Sequence, residues 1–253
     1  MMQAPKVRIE REGAVLCVIF DRPEKKNALT GAMYLAATEA LQDADRDPAI
    51  GAVLFAGSGG LFTAGNDIAD FRAAPGEPKD FPAFVFIKAL AACETPLVAA
   101  IEGIAIGIGA TMMLHCDLVY VAPETMFRLP FVDLGLVPEA ASSLLLPRRI
   151  GMAMAAEFLL LGEAFGADEA LRLGLANAIV PASELWGVAI GRAGQLAAKP
   201  RAALAATRRM MRGEARDIQA RIEEEARLFS IAMRSDEARA AFAAFLGKAR
   251  ERP

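Results

Sequence analysis

Pro96-Leu97-Val98-Ala99-Ala100-Ile101-Glu102-Gly103-Ile104-Ala105-Ile106-Gly107-Ile108-Gly109-Ala110-Thr111 opens as a short apolar run, passes a glycine bend and continues as small and apolar residues. The run predicts a buried strand over 96–101 and a helix over about 106–115, with a second strand over 117–121. Working outward, Ile50-Gly51-Ala52-Val53-Leu54-Phe55-Ala56 is another short apolar run bounded by glycine, as expected of a buried parallel strand. A helix is expected between these strands over 81–93. Ahead of them lie a hairpin (7–10 and 14–20, turning at Glu12-Gly13) and a helix capped by Thr30, with Met33, Ala37 and Leu41 on one face. Strands alternating with helices at these lengths make an α/β protein.

From Gly151 onward Ala, Leu, Arg and Glu recur at helical spacing. Helices are predicted over 153–161, 167–173, 185–198, 201–211 and, as one long segment, 215–248. On the last, Arg221, Glu224, Glu225 and Arg227 read as a solvated stripe. Its apolar residues, Phe229, Phe242, Phe245 and Leu246, exceed what one helical layer needs, which predicts contact with a second copy.

The 253 residues are 55% apolar, ample for a full core, with a net charge of -3. Mixed signs throughout leave no basic field for nucleic acid. Cys17, Cys93 and Cys116 sit in apolar stretches without paired spacing, which fits buried thiols and a cytoplasmic location. The first residues lack the apolar core of a signal peptide, and Glu102 interrupts the longest candidate membrane span, so neither export nor a membrane is expected.

Two nucleotide-binding patterns fail. Met112 stands where the third glycine of G-x-G-x-x-G would follow Gly107 and Gly109, and Gly57-Ser58-Gly59-Gly60 runs into Leu61 instead of a phosphate-loop lysine. Glycines can instead let a carbonyl oxygen approach the main chain at a helix start, where free N–H groups favour developing negative charge. Phe62-Thr63-Ala64-Gly65-Asn66-Asp67-Ile68 and the segment from Gly103 to Thr111 can each supply one donor, or can be a pair of tight turns.

Val137-Pro138-Glu139-Ala140-Ala141-Ser142-Ser143 holds a carboxylate between a proline turn and small residues. A single histidine, His115, and no close His/Cys/Asp cluster disfavour metal hydrolysis and a Ser-His-Asp relay. Glu139 is therefore the candidate proton carrier, the other reading being a charge at the start of a helix ahead of Ala140. Asp133 is expected to cap or to pair with an arginine, Glu94 and Glu102 to be solvated, and His115 to be a hydrogen-bonded core residue.

Taken in order, several segments resemble the crotonase, or enoyl-CoA hydratase/isomerase, superfamily over essentially the whole chain. They are Arg22-Pro23-Glu24-Lys25-Lys26-Asn27-Ala28-Leu29; Phe62 to Ile68; Pro96 to Gly109 with Cys116-Asp117; Leu134-Gly135-Leu136-Val137-Pro138; Leu146-Pro147-Arg148; and Gly174-Leu175 before Val180. The resemblance implies a spiral of ββα units with two nearly perpendicular sheets over 1–195. It also implies a helical oligomerisation region over 196–253, serving a homotrimer or a hexamer of two trimers. It implies an acyl-CoA thioester substrate, with CoA part of the substrate and no separate cofactor or metal. The thioester oxygen would be held by the backbone N–H groups of Asn66 and Ile108. Lys25 and Ala28 would lie near pantetheine and phosphates, Ala64, Asp67 and Ile68 around the adenine, and Phe245 and Lys248 near a neighbouring subunit's ligand. Phe71, Phe81, Phe84 and Ile87 either line an acyl pocket or are plain core.

Hydratases of this superfamily use two glutamates; Thr111 and Phe131 stand at those positions here. Glu139 falls where peroxisomal-type Δ3,Δ2-enoyl-CoA isomerases carry their glutamate, and Asn66-Asp67 and Ser142-Ser143 also resemble that type. Shifting a double bond needs one base that takes a proton from C2 and returns it to C4. Apolar neighbours Phe131, Leu136, Val137 and Leu144 should raise its pKa. The resemblance leaves hydration or another crotonase reaction, a non-catalytic acyl-CoA-binding protein and an RNA-binding relative as other readings.

Overall fold

The computed structural model describes residues 6–73, 81–213 and 215–250, without side chains for 71–73 and 245–250. Strands β1 (Val7–Glu12) and β2 (Val15–Phe20) form the expected hairpin, turning at Gly13 with φ 60°. Beyond it β2, β3 (Ala52–Gly57), β4 (Leu97–Ile101), β6 (Leu118–Val121) and β9 (Ala178–Ile179) run parallel, giving a six-stranded sheet in the order β1-β2-β3-β4-β6-β9. Every residue of β2 and β4 is buried, as continuous apolar runs require when both sheet faces are covered.

Alternate side chains serve the two faces. Val18, Phe20, Val53 and Phe55 point into the main core with α1 (Gly31–Arg46) and α3 (Pro82–Ala92). Cys17, Ile19, Leu54, Val98 and Tyr120 meet Leu185, Ala189 and Ala193 of α8 (Ala182–Ala197) on the opposite side. Thr30 caps α1 as expected, its hydroxyl accepting from Met33 N–H at 3.4 Å. All three cysteines are free and buried.

The stretch 96–115 departs from the sequence expectation. Residues Ile104–Ile106 are a strand, β5, ending where the helix is expected to begin, because they pair in parallel with β7 (Met126–Arg128) in a second sheet ordered β5-β7-β8 (β8 is Phe165–Gly166). The helix is a single α turn, α4 (Ile108–Thr111), tightening into a 3₁₀ turn, Met112–His115. Gly107, at φ 56° and ψ −118°, makes the break between strand and helix, a backbone state open to glycine.

Two short strands, β8 and β9, fall in the gaps between the helices expected after Gly151. The α helices there are α6 (Met152–Leu160), α7 (Ala167–Arg172), α8, α9 (Arg201–Arg212), α10 (Ala215–Met233) and α11 (Asp236–Arg250); α2 (Ile68–Ala73) and α5 (Ser142–Ile150) precede them. The single helix expected over 215–248 is thus two, divided where the Ser235 hydroxyl accepts from Ala238 N–H at 3.1 Å and starts a new helix. Helix α11 returns to the core by packing against Gly135, where a Cβ would lie 2.7 Å from Ala238 N.

Candidate active site

The two glycine loops adjoin. Thr63 pairs in parallel with Ala105 in an isolated bridge, and Ile106 N–H donates to Thr63 O at 3.1 Å. Where that pairing ends, Gly65 packs against Ile106 and Gly107, with Asn66 and Ile108 the next residue along each segment. The approach is close enough that a Cβ on Gly65 would lie 2.7 Å from Ile106 O. Leu29 N–H donates to Gly65 O and Asp67 N–H to Leu29 O, leaving the Asn66 amide between them unused. Ile108, as the first residue of α4, has no carbonyl one turn earlier to accept its N–H. Among the described residues neither amide has a hydrogen-bond partner, so two free donors lie on neighbouring chain segments.

Glu139 is 1% exposed. Its Oε1 accepts from the Thr111 hydroxyl at 3.1 Å, which sets the carboxylate one α turn beyond the Ile108 amide. Tyr34 of α1 reaches the same region, its hydroxyl donating to Asn66 Oδ1 at 2.5 Å. Burial is the main cause that raises the Glu139 pKa to about 8; the Thr111 hydroxyl opposes it and the charge of Glu225 adds to it. Burial, and then the Glu139 charge, also push the Tyr34 phenol well up, so it remains a neutral donor. A cavity of about 90 Å³ adjoins the loops, lined by Gly65, Asn66 and Gly107 on one side and Phe131, Leu136, Phe229 and Phe242 on another. Phe131 brings an apolar ring to this wall.

Glu139 does not begin a helix. Ala140 and Ala141 follow it at φ 58° and 53°, and α5 starts only at Ser142. Asp133 pairs with Arg128 at 3.0 Å, Glu94 is exposed and Glu102 half-buried. His115 Nε2 lies 2.8 Å from Ala140 O; a carbonyl only accepts, so this nitrogen carries the proton. Burial, the larger influence, lowers the His115 pKa to about 4 against the raising effect of that bond, so the ring is neutral.

Lys25 is exposed in a 3₁₀ turn, Pro23–Lys25, and Ala28 is half-buried in the strap that follows. Ala64 N–H donates to Lys26 O at 2.9 Å, so the structure brings Lys25, Ala28, Ala64, Asp67 and Ile68 into one strip beside the glycine loops. Burial would raise the Asp67 carboxyl, but bonds from Arg22, at 2.7 Å, and from Asp70 and Ala69 N–H hold it below its ordinary value. Phe245 and Lys248 fall in α11 with side chains outside the described residues, as does the Phe71 side chain in α2. Phe81, Phe84 and Ile87 are buried in the main core, Phe84 edge-to-face with Phe229 at 5.5 Å.

One residue read as solvated is a correction. Glu225 is 4% exposed, and from α10 its carboxylate accepts from Ala141 N–H at 2.6 Å, Ser143 N–H at 3.1 Å and Ser143 Oγ at 2.6 Å. Helical periodicity alone sets Glu225 beside Arg221 and Glu224; a partner 82 residues away leaves no local signal. Among the described residues no group of His, Cys, Asp and Glu side chains could hold a metal ion, and no helix is long and apolar enough to cross a membrane.

The two-sheet core followed by helices is the crotonase fold. The chain belongs to the enoyl-CoA hydratase/isomerase family, whose model matches residues 10–252. It is 36% identical over 190 residues to enoyl-CoA delta isomerase 2 of Rattus norvegicus, a match covering 71% of this chain and 48% of the rat protein, so it spans about half that relative's length. It is 34% identical over 254 residues to a probable enoyl-CoA hydratase of Rhodobacter capsulatus, covering 96% of this chain and 95% of that one. Among solved structures, Pseudomonas aeruginosa OdaA superposes with a TM-score of 0.91 at 42% identity, covering 95% of this chain and 98% of that chain.

Proposed function

We propose that this protein is an enoyl-CoA isomerase, moving a 3-cis or 3-trans double bond of an acyl-CoA to the 2-trans position. Glu139 takes a proton from C2 and returns it to C4, while the Asn66 and Ile108 amides hold the thioester oxygen of the intervening dienolate. The observation that carries this reading is the Thr111–Glu139 hydrogen bond of 3.1 Å, which sets a buried carboxylate one helical turn from a free backbone donor. A carboxylate with a pKa near 8 has a conjugate acid matched to proton return near neutral pH. Each amide directed at the developing oxyanion contributes about 3–4 kcal/mol to the transition state.

Syn-hydration needs a second group to activate water, and Thr111 and Phe131 supply none. CoA enters as part of the substrate, with Lys25, Ala28, Ala64, Asp67 and Ile68 along its path, and no separate cofactor is required. The deciding measurement is isomerisation of 3-hexenoyl-CoA beside hydration of crotonyl-CoA. Wild type should isomerise and hydrate slowly if at all, and Glu139→Gln should lose roughly 10²–10⁴-fold in isomerisation. Equal isomerisation by the two proteins, or hydration outrunning isomerisation, removes the assignment.

A further inference from the structure

Two consecutive L-residues in the left-handed region, Ala140 and Ala141, directly follow Glu139. Each is a strained conformation for a residue with a Cβ, so surrounding contacts must over-determine the turn. From one side His115 Nε2–H holds the Ala140 carbonyl. From the other, both Glu225 oxygens collect Ala141 N–H, Ser143 N–H and Ser143 Oγ–H, and Arg221 donates to Ser143 Oγ at 3.1 Å. Helix α5 has no capping side chain of its own, so Glu225 supplies its cap from α10.

We propose that Glu225 is the positioning residue of the site: its carboxylate clamps the left-handed turn at Ala140-Ala141 and thereby fixes the direction in which Glu139 presents its carboxylate. The proposal rests on the reading of Glu139 as the proton carrier, but its geometry is independent of which reaction the proton serves. Every hydrogen bond to Glu225 is received, and the donated proton of Ser143 Oγ is free to point at it because Arg221 occupies that oxygen from behind. The carboxylate charge of Glu225 lies beside Glu139 and adds to the rise of its pKa. Burial, the largest cause, holds the Glu225 pKa above its ordinary value, with the Ser143 and Ala141 bonds and Arg221 opposing it. The other ionisable groups facing Glu139 or its turn are Tyr34 from α1, His115 from the turn after α4, and Arg221 from α10.

Substituting Glu225 thus has two separable effects. Glu225→Gln removes the charge but keeps an oxygen that can accept from Ala141 and Ser143; Glu225→Ala removes both. The test titrates the Glu139 carboxyl directly by infrared difference spectroscopy, each protein against its own Glu139→Gln version, alongside isomerisation of 3-hexenoyl-CoA and binding of saturated hexanoyl-CoA. In Glu225→Gln the Glu139 titration should move down by at least half a pH unit with kcat within about tenfold of wild type. In Glu225→Ala kcat should fall about a hundredfold while hexanoyl-CoA affinity stays within twofold. Glu225→Ala with the kcat of wild type overturns the proposal, and so does a wild-type Glu139 titration in Glu225→Gln, even if Glu225→Ala does not fold. Should wild type turn over no 3-enoyl-CoA, the function reading fails alone, since the infrared titration still decides the clamp.

Discussion

Glu139 carries the cost of its own burial. An unfolded glutamate titrates near 4.5 and this one near 8, so between those values the folded state holds the proton that the unfolded state has released. Stability therefore falls as pH rises from about 4.5 to 8, and the whole cost is present above 8. Glu139→Gln, which cannot ionise, should be more stable than wild type at pH 9 by roughly a few kcal/mol, with the gap closing by pH 5. Urea unfolding at the two pH values measures this, and a gap independent of pH would show that the carboxyl is not held protonated. His115 works in the other direction: unfolded it protonates near 6.5 and folded near 4, so stability drops as pH falls through that window. The sequence alone identified both residues and the direction of the Glu139 shift, because a lone carboxylate among Phe131, Leu136 and Val137 has little water to reach.

Elements position the two amides. Strand β5 and the loop from Phe62 to Ile68 lie in register, and Gly65 permits the approach at φ 86°. Gly65→Ala sets a methyl 2.7 Å from Ile106 O and must push the segments apart. Isomerisation should fall roughly 10²–10³-fold, the effect of losing one oxyanion donor, in a protein that still gives a folded circular dichroism spectrum. Unchanged kcat would mean that the amides do not act as a pair. The glycines mark these loops in the sequence, yet no strand is expected at 104–106 and a helix is expected from about Ile106, because Ile104-Ala105-Ile106 is three residues long and short apolar runs do not distinguish strand from helix. Its partner β7 is also three residues, each pairing 22 positions later.

At the scale of the whole molecule, α10 and α11 close over the core: Phe229 and Phe242 line the cavity beside Asn66, and Glu225 reaches the α5 N-terminus. Met152, Leu160 and Leu161 at α6, Met210 and Met211 at the end of α9, and Ile231 on α10 remain exposed in the single chain. This much exposed apolar surface supports the proposal that copies associate as a trimer or a pair of trimers. Sedimentation equilibrium should give three or six times the chain mass; a monomer at micromolar concentration would refute it.

The sequence by itself determined the α/β alternation, the hairpin start, the helical C-terminal part and the identity of Glu139, Asn66 and Ile108 as candidates. These are written in local periodicity, in glycine spacing and in the ordered set of motifs that resembles a known family. Only the tertiary structure decided that Ile104–Ile106 is a strand, that the last helix breaks at Ser235, and that Glu225 faces inward. A strand needs a partner, a helix end needs the surface it packs on, and a buried carboxylate needs donors. In this chain the donors for Glu225 lie 82 and 84 residues away, beyond any spacing that a helix or strand period can report.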